Sequence, residues 1–142
     1  MRDTLSVLER IRQHRKKGAE NAFVEAERAR DVQEAVVSEM EEVISESRNN
    51  DMDDDEACWV AQAAAWRLKM EMRLRTEKGR LVEREGVSDD RQKDLAHASR
   101  EHRVVERIIE INSERRKVDE RRKEGRKLDA MGTSRWHRKG IE

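Results

Sequence analysis

The sequence predicts an all-α fold, an elongated antiparallel two-helix coiled-coil hairpin whose C-terminal helix is the longer. Three observations predict it. Proline is absent, charged residues make up 45% and aromatic residues 3% of 142, a composition of long helices rather than of a packed globule. Apolar residues recur at heptad spacing, which an equally polar disordered chain would not show. One polar stretch near residue 50 interrupts that spacing. With one Phe and three Trp the chain cannot fill a compact interior of its length, so a single coiled-coil domain over 1–142 is expected.

The first helix is expected over 4–48. Alternating steps of three and four from Leu5 reach Leu8, Arg12, Arg15, Ala19, Ala22, Ala26, Ala29, Gln33, Val36, Met40 and Val43. Nine of these twelve positions are apolar and the residues between are largely charged, which describes one packing seam. Ile11, Phe23 and Ile44 widen the stripe, and its alanines imply close approach of a partner helix. Asp3 or Thr4 would cap its start.

The turn is expected at 49–56, where "NNDMDDDE" supplies polar, turn-prone residues with Met52 as the sole apolar one. The competing bend is 86–89, where Gly86 would end a helix and Ser88 would cap the next. That stretch has one glycine and one cap, so the turn chemistry favours 49–56. Asp51, Asp53 and Asp55 also imitate the first ligands of a calcium loop. The sixth position is then Glu56 where a glycine is needed, and the twelfth is Gln62 where a carboxylate is needed. Calcium is not expected; carboxylates ahead of a helix N-terminus are.

The second helix is expected over 57–130, with a kink allowed at 79–89 and a flexible tail at 131–142. Its apolar positions are Trp59, Ala63, Trp66, Met70, Leu74 and Leu81, then Leu95, Val104, Val105, Ile108, Ile109, Ile111 and Val118. Folding back at 49–56 sets Met40 near Met70 and the alanines at 19–29 near Leu81 and Gly86. Leu5 and Leu8 reach the region of Val104 and Val105. Roughly the last 20 to 25 helical residues are left without an internal partner.

No catalytic constellation emerges. His97 and His102 are five apart, about 140° on a helix, and are expected at the surface with His14 and His137. Cys58 is single, so no internal disulfide and no cysteine-based zinc site is expected. Glycine-rich phosphate loops and nucleophile motifs do not occur. A two-helix rod has no cleft to desolvate a reaction. The expectation is a non-enzyme without cofactor or metal. The N-terminus lacks the apolar core of a signal peptide and no stretch has membrane-spanning length, so a soluble intracellular protein without membrane insertion is expected.

Charge is balanced, 32 bases against 32 acids, but segregated. Glu39 to Glu56 holds nine acids against Arg48 alone. Arg115 to Lys127 holds eight bases against Asp119, Glu120 and Glu124. A solvated face, a helix docking into an acidic protein cavity and a nucleic-acid surface are the readings of this basic run. Interrupting carboxylates and the lack of interleaved aromatics count against nucleic acid. Trp59 and Trp66, seven apart beside the turn, are read either as protein-docking indoles or as hairpin packing.

The opening "LSVLERIR", the alanine-rich heptad helix, the polar break near 50 and the ending "ERRKEGRKLDAMGTSRWHRK" recur together in one known group. The chain resembles the FliJ/YscO family, the central stalk proteins of bacterial type III secretion ATPases, flagellar or injectisome. Its Lys127-Leu128-Asp129-Ala130 keeps the Asp and lacks the Glu of that family's ending. The resemblance implies an antiparallel two-helix coiled coil whose termini enter a hexameric secretion ATPase. It implies that the hairpin side faces the cytoplasmic domain of the membrane export gate, and that some members hold secretion chaperones. Arg115, Arg116, Arg121, Arg122, Arg126 and Lys127 would then meet the ring, and Trp59, Trp66 and Met70 the gate. The implied location is the bacterial cytoplasm, peripheral at the inner-membrane export apparatus. A nucleic-acid-binding helical protein and a homodimeric coiled-coil scaffold, with Val104 to Ile111 as its seam, are the alternatives.

Overall fold

The computed structural model describes residues 2–50 and 57–140. They form two helices that pack against each other, α1 (Arg2–Asn50) and the longer α2 (Ala57–Lys139). The fold is all-α, as expected. The chain clusters into two compact units: residues 14–99, and residues 1–13 together with 100–142.

In the unit of residues 14–99 the helices run antiparallel. Arg48 pairs with Glu71 at 2.6 Å and Glu41 with Lys78 at 2.5 Å, so α2 numbers rise as α1 numbers fall. Gln33 Nε2 donates to the Glu77 carboxylate at 2.6 Å and to its backbone carbonyl at 3.1 Å. In the other unit Arg12 pairs with Glu101. There Leu5, Ser6 and Glu9 of α1 share a groove with Ile109, Asn112 and Arg116 of α2. Leu5 thus lies about one turn further along α2 than the expected Val104 and Val105.

The register differs from the expected one in an instructive way. From Leu5 the inward positions step by four and then three: Glu9, Arg12, Lys16, Ala19, Phe23, Ala26, Arg30, Gln33, Val37, Met40, Ile44 and Ser47 are all at least half-buried. Every second expected position was therefore displaced by one residue. Val37 and Ile44 are buried at 7% and 5%, while Val36 and Val43 remain more than a third exposed. One residue is 100° on a helix, so only one member of each adjacent apolar pair can face the partner. Steps of four and three also carry α2, through Ala63, Arg67, Met70, Leu74, Glu77 and Leu81 in one unit and His102, Val105, Ile109 and Asn112 in the other.

Several local expectations change. α2 is helical without interruption through 79–89, so the competing bend at 86–89 is not formed. Ser88, the cap that bend required, is buried at 4% on the inward face. Gly79 and Gly86 have ordinary helical backbone, and no glycine has positive φ among the described residues. α1 starts at Arg2, ahead of the expected caps, and Thr4 lies inside it. Helix continues to Lys139 where a tail was expected from 131. The expected turn at 49–56 falls largely on residues 51–56, outside the described residues; α1 reaches Asn50 and α2 begins at Ala57.

The packing is thin. Among the described residues the buried apolar side chains are Val37, Ile44 and Val105, each contributing about 1.5–3 kcal/mol on burial. Polar groups fill other inward positions. Within α1, Arg30 reaches Asp31 at 2.8 Å, and this hydrogen bond raises the guanidinium pKa above its ordinary value. Ser47 Oγ donates back to the Ile44 carbonyl at 2.8 Å near the helix end.

Candidate protein-binding surfaces

The basic surface lies on the last third of α2. In its unit, Leu5 and Glu9 share a groove with α2 that reaches Arg116. α2 continues for six further turns, because its sequence holds no proline and is rich in Arg, Lys and Glu. Arg115, Arg116, Arg121, Arg122, Arg126 and Lys127 are all exposed on this segment, save that Gly125 beside them is half-buried. None of the six joins an ion pair among the described residues. Their charge is thus available to a partner. The arginines point around the helix rather than along one edge, since adjacent residues are 100° apart.

Trp59 and Trp66 have a different setting. Arg48, near the end of α1, pairs with Glu71, roughly four turns into α2. On the turns before Glu71, Ala63, Arg67 and Met70 are half-buried, but Trp59 is 60% and Trp66 41% exposed. The hairpin-packing reading of these indoles is thereby disfavoured. Met70 differs from its two companions: it faces the partner helix and is half-buried. Leu68 and Met72, not singled out from the sequence, are exposed at 62% and 64% beside it. Cys58 is a free, exposed thiol.

Three further features escaped the sequence reading. Trp136 is 74% exposed near the end of α2 and meets His137 edge-on at a ring separation of 5.6 Å. His102, expected at the surface, is buried at 8% with its Nδ1 3.6 Å from Glu106. It occupies an inward heptad step, which a spacing test for metal ligands does not register. Finally, the apolar group from Val104 to Val118 divides. Val105 is buried, but Val104, Ile108 and Val118 are 59%, 41% and 43% exposed on another face. The adjacent pairs Val104-Val105 and Ile108-Ile109 were the available signal.

Among the described residues no group of three or more His, Cys, Asp and Glu side chains could hold a metal ion. The aspartates of the imitated calcium loop lie outside the described residues. No helix among the described residues is long and apolar enough to cross a membrane. No model of a known protein family matches the chain, and neither a curated protein nor a solved structure does.

Proposed function

We propose that the chain is the non-enzymatic stalk of a bacterial type III protein export ATPase, flagellar or injectisome. In this reading it works in the cytoplasm beside the inner-membrane export apparatus. Its basic end meets the hexameric ATPase, its tryptophan end meets the cytoplasmic domain of the export gate, and secretion chaperones are further partners. The observation that carries the reading is the uncovered stretch of α2. Eight bases between Arg115 and Lys127 stand exposed on α2, where a ring of subunits can surround them. The family resemblance of the ends and of the heptad helix supports the same assignment. A stalk of two helices also needs no cofactor, since its work is to couple movements between partners.

Charge at such an end steers association more than it supplies affinity, so the contact weakens as salt rises. Reversing Arg121, Arg122, Arg126 and Lys127 to Glu leaves helicity intact, because all four are exposed. The same variant no longer stimulates the cognate secretion ATPase and no longer supports secretion. Normal stimulation by the reversed protein would reduce the basic stretch to a solvated face and remove the main support for the stalk. Salt-sensitive binding of the wild-type chain to DNA, without any effect on an ATPase, would favour the nucleic-acid alternative.

A further inference from the structure

α1 and α2 each carry a second stripe at heptad spacing, beside the one that joins them. On α1 it comprises Val32, Val36, Glu39, Val43 and Glu46, at steps of four and three. Val32 is 66% exposed, Val36 36% and Val43 38%, and both glutamates are exposed. On α2 it comprises Val104, Ile108, Ile111, Arg115, Val118 and Arg122, at the same steps. Ile111 is half-buried; Val118 is 43% exposed and the two arginines are exposed. One stripe is apolar and acidic, the other apolar and basic. Neither Glu39 nor Arg115 joins an ion pair among the described residues.

We propose that the chain associates with a second copy of itself, the α1 stripe of one copy lying antiparallel along the α2 stripe of the other, with Glu39 facing Arg115. The register follows from the spacing. In a parallel alignment Glu39 always falls opposite Val104, Ile111 or Val118, because equivalent heptad positions pair, and the carboxylate is left without a partner. Antiparallel alignments set Glu39 opposite Ile108, Arg115 or Arg122. The Arg115 register puts Val36 against Val118 and Val43 against Ile111, so one charge pair lies between two apolar layers. The Ile108 register brings no opposite charges together, since Glu39 then meets Ile108 and Glu46 meets Glu101, and the Arg122 register loses one apolar layer by setting Val36 on Gly125. In the Arg115 register Glu46 meets Ile108 only at the end of the stripe.

The second copy, rather than another partner, is favoured by the charge distribution. Bases and acids are equal in number, 32 each, and the complementary stripes lie on the same chain. Every copy therefore carries both halves of the contact. Within one chain this level of α1 already has its partner in α2, through Glu41 with Lys78 and Arg48 with Glu71. The stripe that meets Glu39 belongs to a different molecule. Arg115 is also one of the bases assigned above to the ATPase ring, so self-association and ring binding compete. The proposal itself does not rest on the stalk reading.

Sedimentation of the full chain across a wide concentration range tests it. Species heavier than the monomer are expected as concentration rises, and their formation weakens as salt screens the charge pair. Glu39→Arg alone and Arg115→Glu alone each weaken association about tenfold or more, with helicity unchanged by circular dichroism. An equimolar mixture of the two variants recovers it. The guanidinium introduced at position 39 of one variant then meets the carboxylate introduced at position 115 of the other. A monomer at every concentration overturns the proposal, and so does a mixture that fails to recover. Capture of an unrelated acidic helix by a strictly monomeric chain would assign the stripe to that partner and equally overturn it.

Discussion

Gln33 and Glu77 are forty-four residues apart in sequence, yet the Gln33 amide donates to both the carboxylate and the backbone carbonyl of Glu77, at 2.6 and 3.1 Å. An inward step of the heptad is thus occupied by a polar side chain that recognises one level of the partner helix. Polar residues at such positions specify register at a cost in stability. Gln33→Leu is expected to raise the unfolding free energy by about 1 kcal/mol. It should also loosen the alignment, broadening distances between spin labels on the two helices. Urea titration followed by circular dichroism reads the first effect, and a lower midpoint would show that the amide stabilises outright.

The register itself can be tested by adjacent residues. Ile44→Ala should cost about 2–3 kcal/mol, since Ile44 is 5% exposed. Val43→Ala should cost about 0.5 kcal/mol or less, because Val43 is more than a third exposed. Equal losses for the two would return the packing to the steps first read from the sequence.

The continuity of α2 makes a prediction about its glycines. A Cβ at Gly79, Gly86 or Gly125 would meet nothing within 4 Å, and the backbone there is helical. Gly→Ala at each site should therefore raise stability by about 0.5–1 kcal/mol. Thermal melts would show it, and a loss at Gly86 would mean that the chain bends there.

Cross-helix ion pairs at the edge should matter little by comparison. Arg48 and Glu71 are 59% and 40% exposed. Arg48→Ala is expected to change stability by less than about 1 kcal/mol, and by still less in high salt. A loss several times larger would point to a packing role for the aliphatic part of Arg48.

Trp59→Ala combined with Trp66→Ala should leave helical content and ATPase stimulation near wild type while impairing export. Both indoles are substantially exposed and distant in sequence from the basic run. Export assays beside ATPase assays separate the two ends. Loss of ATPase stimulation with intact export would reverse the assignment of partners.

By itself the sequence determined that the chain is helical, that the helices are two and unequal, and that the basic run lies near one end. Those properties reside in local composition: no proline, heptad spacing, one polar break and counted charges. Leu5, Arg12, Ala19, Ala26, Gln33 and Met40 were legible as inward positions because the two candidate steppings share them. Tertiary structure alone decided between Val36 and Val37, Val43 and Ile44, Val104 and Val105. Neighbours of like hydropathy differ only in which of them the partner helix approaches, and that depends on residues far away in sequence. For the same reason the burial of Ser88 and His102 and the exposure of Val118 had no local signature. The basic run carried its charge in plain view, but its exposure depends on the level at which α1 lies against α2. That level is fixed by contacts such as Arg12 with Glu101, which pair residues the sequence holds far apart.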